Sequence, residues 1–342
     1  MKHIVKWGII GLGNIAFEFA NAFYNADNAE LIAVASKSNE KLIKFKENFN
    51  LKNENLHDNY EKILNNDQID IFYIALPNSF HFEWVSKLVE KKKNILVEKP
   101  AFVSTKEALS VFNNHNFKNI FFGEGFMYRY HPQIFEIVNI IEANEIGKLI
   151  RMESNYGTNL IYKKNFLGFK SKKFNKDKRI FNKKIGGGVI LDQGCYTTSM
   201  SLLIASLIKN LDLTNFKIED VKTDFLGSNI DVNSYAKINF DDKFKSYISV
   251  SFTENLGKRT SIIGDNGKIV LENTWNSDEC ILELTGKVNK KKVFYNTKNI
   301  YALEIENVSK DIIEGKKEAS FPGVSKKEIF HNTKLINNWI NE

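Results

Sequence analysis

A glycine-rich turn directly after the first apolar segment constrains the fold of this chain more than any other feature. Residues 5–11, VKWGIIG, have the composition of a short strand, and they lead into GLGNIA at residues 11–16. A helical window, NIAFEFANAF, begins inside the same motif. A strand that passes into a helix through G-x-G-x-x-A is typical of βαβ units that bind dinucleotides.

Each position of this motif has a physical task. Gly11 allows a tight turn, Gly13 lets the backbone approach a pyrophosphate, and Ala16 keeps the helix close to the sheet. Asn14 and Ile15 open the helix, whose N-terminus stabilises an anion. We therefore expect these five residues to bind a nicotinamide dinucleotide. A glycine turn in some other doubly wound protein is the alternative.

Alternation of strand and helix continues to about residue 122 and predicts a parallel sheet with right-handed crossovers. After Phe126 the pattern changes, because strand-like segments crowd into residues 217–297 with little helix between them. The predicted fold class is α/β, with a Rossmann domain, a doubly wound parallel sheet, over residues 1–124. An α+β domain with a large, mostly antiparallel open sheet is expected over residues 125–342, for substrate binding and oligomerisation.

Composition and charge exclude several classes of protein. The 342 residues carry 48 lysines and arginines against 41 acids, a net charge of +7, without a motif that reads nucleic acid. Two cysteines and six scattered histidines give neither a disulfide framework nor a metal-ligand spacing, so no metal is expected. The apolar run SLLIASLI is too short to span a bilayer. A soluble cytoplasmic protein without a nucleic-acid or membrane partner is expected.

The end of the second strand indicates which nicotinamide cofactor is favoured. An acid usually holds the ribose hydroxyl of NAD at that place, but this chain has Ser36 and Lys37. A hydroxyl and a positive charge suit a 2′-phosphate, so NADP(H) is favoured. If Lys37 is one more surface lysine, NAD(H) is possible as well.

Four further residues lie at the end of the fourth strand, where ligands bind in such sheets. Leu76, Pro77 and Asn78 form the turn, and His81 starts the next helix. Pro77 makes the turn rigid, and Asn78 can cap the helix or contact the cofactor. We expect all four to lie near the cofactor, although a lone histidine is more often structural.

The fifth strand ends in Glu98-Lys99-Pro100, an unusual place for a lysine because that strand end should be half buried. A lysine there can share in proton transfer or hydrogen-bond a substrate oxygen. A solvated lysine before a turn proline is the alternative, and the residues alone leave the two open. We place Glu98 and Lys99 beside the cofactor.

Four motifs in this order resemble the Gfo/Idh/MocA oxidoreductase family over nearly the whole chain. They are G-x-G-x-x-A, Glu98-Lys99-Pro100, EGFMYRYHP at residues 124–132 and GGGVILDQGCY at residues 186–196. The final tyrosine resembles a branch of sugar, keto-sugar and dihydrodiol oxidoreductases. The resemblance implies hydride transfer between NAD(P) and a sugar or keto-sugar, including phosphorylated or nucleotide-linked forms. The alternatives are a non-catalytic dinucleotide or sugar sensor and a trans-dihydrodiol dehydrogenase.

The same resemblance implies roles for matched positions. Lys99, Asp192 and Tyr196 would be catalytic, and the Lys99–Pro100 peptide is often cis in relatives. Asp192 and Tyr196 would also touch the substrate. Spacing supports this pair, because a helix is expected from about Val189 to Ile208 and residues at i and i+4 share a helix face. A helix cap for Asp192 and a core aromatic for Tyr196 are the alternatives.

Three more residues would bind the substrate by resemblance, namely Tyr128, Arg129 and Arg179. The chain departs from the family pattern at residues 182–184, Asn-Lys-Lys, which are more basic than usual. The lysine-rich segment 162–184 is either a solvated loop or a funnel for an anionic substrate. A homodimer or homotetramer through the C-terminal sheet is implied by the resemblance.

Overall fold

The computed structural model describes residues 3–164, 170–172, 178–227, 229–275, 279–287, 289–295 and 298–342, with backbone alone at 163–164 and 170–172. Much of the basic segment 162–184 lies outside the described side chains, so its role as a funnel stays a prediction. Contacts group the chain into two compact units, residues 1–131 with 297–330 and residues 132–296 with 331–342. Within the described ranges, every helix is too short or too polar to cross a bilayer.

The first unit is built on a six-stranded parallel sheet with the strand order β3-β2-β1-β4-β5-β6. Its elements are β1 (Val5–Ile10), α1 (Asn14–Ala22), β2 (Ala29–Ala35), α2 (Asn39–Phe49), β3 (Leu56–His57), α3 (Tyr60–Ile63), β4 (Ile71–Ile74), α4 (His81–Glu90), β5 (Asn94–Glu98), α5 (Thr105–Phe112) and β6 (Phe122–Gly125). This strand order is that of a dinucleotide-binding doubly wound sheet. The predicted Rossmann fold is confirmed.

The second unit is built on an eight-stranded sheet with the order β10-β11-β12-β7-β13-β14-β15-β16. The elements from residue 132 onward are α6 (Pro132–Glu142), β7 (Leu149–Gly157), β8 (Tyr162–Lys164), β9 (Lys170–Lys172), α7 (Cys195–Ser206), β10 (Phe216–Leu226), β11 (Ile230–Phe240), β12 (Phe244–Ser251), β13 (Thr260–Gly264), β14 (Lys268–Glu272), β15 (Glu279–Thr285), β16 (Lys290–Tyr295), α8 (Ile300–Ile313) and α9 (Lys326–Asn341). The pair β7–β12 is parallel and the other neighbours run antiparallel. The predicted open, mostly antiparallel sheet is confirmed.

Helix α8 follows the second sheet in sequence but packs in the first unit. Its Ala302, Ile305 and Val308 belong to the same buried core as Trp7, whose indole nitrogen donates a 3.0 Å hydrogen bond to Ser309 Oγ. Burying this apolar helix face stabilises the Rossmann sheet. The grouping by contacts therefore differs from a division into residues 1–124 and 125–342.

Two strands of the second sheet, β7 and β13, were not predicted from the sequence pattern. β7 lies at the centre of the sheet, yet its exposed positions include Arg151 and Glu153, which weaken the strand signal. β13 is only five residues long. Their places are set by pairing with distant strands rather than by local composition, since β propensity depends strongly on context.

The helix expected from about Val189 to Ile208 has two parts. A π-helical turn spans Ile190–Gly194, and α7 continues from Cys195 to Ser206. Residues 195–205 are all buried, and the one exposed residue of α7 is Ser206 at its end. Asp192 lies in the π turn and Tyr196 in α7, so the α-helical spacing assumed for this pair does not cover the whole interval. Such π turns occur frequently at functional sites.

Candidate functional site

The predicted dinucleotide turn has the geometry that a pyrophosphate requires. Gly11 has a φ of +91°, and a Cβ there would lie 2.6 Å from Leu76 Cδ2 and 2.7 Å from the Ala75 carbonyl oxygen. A Cβ on Gly13 would meet no atom within 4 Å, so the backbone at the start of α1 borders open space. Ala16 is fully buried beneath it. The residues present therefore fit a bound dinucleotide, with the helix N-terminus toward its phosphates.

The end of β2 lies beside this turn. The Gly11 amide donates a 3.0 Å hydrogen bond to the Ala35 carbonyl, and the next residue, Ser36, is buried. Ser36 Oγ accepts a 3.1 Å hydrogen bond from the Ser38 amide. Lys37 is exposed, and its Nζ lies 5.7 Å from the centroid of the Tyr60 ring. A charge and a hydroxyl thus follow β2, where NAD-binding members of this fold have an acid for the ribose hydroxyl.

The turn after β4 is held from within the unit. Asn78 is buried, and His81 is fully buried at the first residue of α4. His81 Nε2 lies 2.8 Å from the Leu76 carbonyl oxygen, and Nδ1 lies 2.9 Å from the Pro100 carbonyl oxygen. The histidine predicted to lie near the cofactor therefore joins two strand-end turns.

Lys99 follows β5 as a half-buried side chain, and the Lys99–Pro100 peptide is cis, as the resemblance implied. The Lys99 amide donates a 3.3 Å hydrogen bond to Glu98 Oε2. Glu98 is itself buried and accepts a hydrogen bond from the Tyr73 hydroxyl. Burial, together with the Glu98 carboxylate, raises the pKa of Tyr73 well above its usual value, so this hydroxyl remains a donor.

Arg129 and Tyr128 occupy positions unlike those expected for residues that line a substrate. Both are 0% exposed in the first unit. Arg129 Nη2 lies 2.7 Å from Glu328 Oε1, and its Nε donates to the Pro322 carbonyl at 2.7 Å. A buried guanidinium with these partners holds the chain around residue 322 to the Rossmann unit. Contact between substrate and either residue stays a prediction that this burial does not favour.

In the second unit, the three consecutive glycines have separate steric reasons. A Cβ on Gly187 would lie 2.7 Å from the Arg179 carbonyl oxygen and 2.8 Å from the Asn182 amide nitrogen. Gly188 has a φ of +122°, and a Cβ there would lie 2.2 Å from Asp231 Oδ1. Gly186 has a φ of +78°, which favours glycine. The run is therefore a close turn against Asp231.

Asp231 is a functional candidate that sequence reasoning missed. Its carboxylate is buried on β11 and accepts a 2.8 Å hydrogen bond from the Ile190 amide, the first residue of the π turn. Lys183 Nζ lies 3.7 Å from the other carboxylate oxygen. Asp231 therefore anchors the segment that carries Asp192 and Tyr196.

Arg179 and Asp192, both predicted site residues, are paired in the structure. Arg179 Nη2 donates a 2.8 Å hydrogen bond to Asp192 Oδ1, and the two side chains are 36% and 19% exposed. One oxygen of the carboxylate is thus fixed by a charge-assisted hydrogen bond. This partial exposure leaves the pair near solvent, where a small ligand could contact it.

Tyr196 lies in an aromatic cluster with Tyr156 and Trp275. Its ring is edge-on to Tyr156 at 5.5 Å between centroids and tilted against Trp275 at 5.8 Å. The Trp275 indole nitrogen donates to the Asn155 carbonyl at 3.2 Å, which fixes the indole. Lys258 Nζ lies 5.9 Å from the Tyr156 centroid, and burial lowers the pKa of this lysine. Tyr156, Trp275 and Lys258 carried no recognisable motif in the sequence.

Within each unit, the predicted site residues lie in one part of the structure. Gly11, Gly13, Ser36, Asn78 and Lys99 follow β1, β2, β4 and β5, which are neighbours in the sheet, so they share its carboxyl edge. In the second unit, Arg179, Asp192 and Tyr196 occupy one continuous segment around the π turn. The first set suits dinucleotide binding, and the second offers an oriented carboxylate and a phenol for chemistry on an oxygen-bearing substrate.

Comparison with known proteins finds the same family in both halves of the chain. Residues 5–122 match the model of an oxidoreductase family with an NAD-binding Rossmann fold, GFO/IDH/MocA, and residues 135–270 match the C-terminal domain of that family. The two models together cover most of the chain.

Full-length relatives extend the match. A trans-1,2-dihydrobenzene-1,2-diol dehydrogenase from Xenopus tropicalis is 23% identical over 333 residues, covering 95% of this chain and 94% of the relative. An NADP(+)-dependent D-xylose 1-dehydrogenase from Haloferax volcanii is 23% identical over 314 residues, covering 91% and 90%. The crystal structure of an aldose–aldose oxidoreductase from Caulobacter crescentus superposes with a TM-score of 0.83 at 17% identity, covering 99% and 97%.

Proposed function

The chain belongs to the GFO/IDH/MocA oxidoreductase family, and within that family we propose that it transfers a hydride between NADP(H) and a sugar or keto-sugar. The observation that carries this proposal is the Arg179–Asp192 pair on the segment that also bears Tyr196. A sensor of dinucleotides has no need of a fixed carboxylate, a phenol and a half-buried strand-end lysine together. Lys99, Asp192 and Tyr196 are the proposed catalytic residues.

The cofactor would be held by the first unit. Residues 11–16 would bind the pyrophosphate against the start of α1, and Ser36 and Lys37 would bind the 2′-phosphate. Asn78 would contact the dinucleotide from the turn after β4. Leu76, Pro77 and Glu98 complete the proposed surface at the strand ends. The bound nicotinamide supplies the redox step, the gain or loss of a hydride. Lys37 supports NADP over NAD because residues 35–38, at the end of β2, include no acid to bind a ribose hydroxyl.

The proton that accompanies the hydride would be handled by Tyr196. Its hydroxyl would donate to, or accept from, the substrate oxygen at the reacting carbon, depending on direction. The Lys99 ammonium would share in proton transfer or hydrogen-bond a substrate oxygen. Asp192, fixed by Arg179, would accept hydrogen bonds from neighbouring substrate hydroxyls and so orient the ring.

A sugar fits this arrangement because several hydroxyl donors can meet the Asp192 carboxylate while one carbon reacts. The relatives named as a xylose dehydrogenase and an aldose–aldose oxidoreductase support that substrate class. The relative named as a dihydrodiol dehydrogenase supports a vicinal diol as the alternative substrate. Such a diol presents two adjacent hydroxyls to the carboxylate in the same way. We also propose that the second sheet forms the contact of a homodimer or homotetramer.

The direct test is a titration with NADPH and NADH followed by nicotinamide fluorescence, then addition of free, phosphorylated and nucleotide-linked sugars, keto-sugars and a trans-dihydrodiol. We expect tighter binding of NADPH and turnover of a sugar or keto-sugar. Turnover of phosphorylated sugars above their free forms would support the basic funnel. Binding of both dinucleotides without turnover across the panel would contradict the catalytic assignment, and turnover of the dihydrodiol alone would replace the substrate class.

A further inference from the structure

We propose that His81 is a positioning residue whose ring joins the turn after β4 to the turn after β5 and thereby sets where Lys99 lies. This inference rests on the proposed function of Lys99. It assigns His81 a task other than direct contact with the cofactor. The ring is fully buried at the first residue of α4, so its neighbours within the unit determine its orientation.

The two ring nitrogens reach opposite turns. Nε2 lies 2.8 Å from the carbonyl oxygen of Leu76, which precedes Pro77 and Asn78. Nδ1 lies 2.9 Å from the carbonyl oxygen of Pro100, the residue that follows Lys99. A single rigid ring therefore spans the ends of β4 and β5, which are adjacent strands.

The chemistry of the contacts explains why an imidazole is needed. A backbone carbonyl only accepts hydrogen bonds, so each contact needs an N–H on the ring. A ring with one N–H donates to one of the two turns, and a ring with an N–H on each nitrogen donates to both. An amide side chain carries its N–H groups on one nitrogen, so glutamine or asparagine in the same pocket cannot span both oxygens.

Lys99 is consequently held from both sides along the backbone. On one side its amide donates to Glu98 Oε2 at 3.3 Å, and Glu98 is tied to Tyr73. On the other side the carbonyl of Pro100 is held by His81. Without His81, the Pro100–Ala101 peptide keeps one side-chain anchor, the Ala101 amide that donates a 2.8 Å hydrogen bond to Glu124 Oε1. A displacement of about 1 Å at a reacting group costs about 100-fold in rate.

The experiment is chemical rescue of His81→Ala, with His81→Gln as the second variant in case the cavity prevents folding. We expect kcat to fall roughly 10- to 100-fold, a larger change than the rise in the Kd for NADPH that follows from loosening the turn of Leu76, Pro77 and Asn78. Imidazole added to His81→Ala should restore activity at least about tenfold, because it refills the cavity with a ring whose two nitrogens can each carry a proton. 1-Methylimidazole has one nitrogen that can carry a proton and should restore much less.

A readout that does not depend on turnover is the acetylation rate of the Lys99 amine in the cofactor-free protein, followed by mass spectrometry with exposed Lys91 as internal reference. We expect the ratio of Lys99 to Lys91 acetylation to change at least about threefold in His81→Ala and to return with imidazole. Val85→Ala, which removes another buried side chain of α4, is the matched control and should show neither the change nor the rescue.

The outcomes separate this inference from the proposed function. A folded His81→Ala protein with wild-type kcat and an unchanged acetylation ratio would overturn the positioning role. Equal rescue by imidazole and 1-methylimidazole would overturn the two-sided bridge. If the wild-type protein turns over no substrate, the proposed function fails, and the acetylation ratio still decides the role of His81.

Discussion

The guanidinium of Arg179 donates a 2.8 Å hydrogen bond to the carboxylate of Asp192, thirteen residues further along the chain. The Arg179 segment and the π turn are held together by the glycine turn between them, since Gly187 packs against the Arg179 carbonyl. The pairing makes Asp192 an oriented acceptor rather than a mobile surface acid. Its orientation is therefore the property that substitution of Arg179 should change.

We expect Arg179→Gln to lower kcat/KM for the sugar by about 10- to 100-fold, since Asp192 loses its charged partner and the substrate its orientation. The Kd for NADPH should stay within about twofold, because the proposed dinucleotide site lies in the other unit. Steady-state kinetics and fluorescence titration measure the two quantities. An equal loss in NADPH binding would show that Arg179 serves the cofactor instead. Arg151→Gln, an exposed arginine of β7, is the control.

Gly188 tests the steric account of the glycine run. Gly188→Ala combines a φ of +122° with a Cβ 2.2 Å from Asp231 Oδ1, so we expect a loss of about 2–4 kcal/mol in the free energy of unfolding. Gly257→Ala has a φ of +76° with no atom within 4 Å, and it should lose about 1 kcal/mol. Urea denaturation of both variants measures the difference. Equal losses in the free energy of unfolding would mean that the contact with Asp231 adds nothing to the cost of Gly188→Ala.

Gly13 separates binding from stability. Its backbone is extended and a Cβ would enter open space, so Gly13→Ala should leave the melting temperature within about 2 °C of wild type. The added methyl group would occupy the space proposed for the pyrophosphate, and the Kd for NADPH should rise more than about tenfold. Gly11→Ala should instead destabilise the fold, because its Cβ would strike Ala75. Unchanged NADPH affinity in Gly13→Ala would place the pyrophosphate elsewhere.

Lys37 tests the cofactor preference. We expect Lys37→Ala to weaken NADPH binding about tenfold and to leave NADH binding nearly unchanged, because only NADPH carries the 2′-phosphate. Lys41→Ala, an exposed lysine of α2, controls for the loss of general positive charge. Fluorescence titration with both dinucleotides gives the ratio. If Lys37→Ala weakens the binding of NADPH and NADH equally, Lys37 does not bind the 2′-phosphate.

Glu124 should make stability depend on pH. Burial raises the pKa of this carboxyl to about 8, and its Oε1 accepts a 2.8 Å hydrogen bond from the Ala101 amide. The folded state therefore keeps a proton that the unfolded chain releases near its ordinary pKa of 4.5. The stabilising contribution of this group is complete below about pH 4.5 and is lost as the pH rises toward 8.

Glu124→Gln removes that titration while keeping the shape of the side chain. We expect the variant to gain stability relative to wild type between pH 5 and pH 8, as measured by urea denaturation at both values. Glu47→Gln, an exposed acid of α2, should show no such change. A difference between Glu124→Gln and wild type that is constant with pH would contradict the protonated state of Glu124.

The sequence predicted local features of the site better than distant contacts. The turn at residues 11–16 could be predicted because its strand, glycines and helix are contiguous. Asp231 could not, since it reaches the Ile190 amide from 41 residues away on a strand with ordinary alternation. The partner of Arg129, Glu328, is 199 residues distant, so the sequence suggested a substrate contact where the structure has a buried ion pair.

The π turn was also beyond sequence reasoning. Residues 189–208 have the apolar character of a helix, and the residues that contact the π turn, Asp231 and Trp339, are distant in sequence. A Cβ on Gly194 would lie 2.8 Å from the Trp339 ring, which shows how closely this turn approaches α9. Such close packing is tertiary, and local propensity does not report it.

The measurement that tests the central claim most directly is turnover of Tyr196→Phe and Lys99→Ala with NADPH and the best substrate of the panel, alongside the Kd for NADPH of each protein. Tyr235→Phe, which removes a hydroxyl from half-buried β11, is the matched control. We expect kcat to fall by about 10²- to 10⁴-fold in both variants, with NADPH binding within about threefold of wild type and the control unchanged. Wild-type turnover in Tyr196→Phe would contradict the assignment of the proton to this phenol.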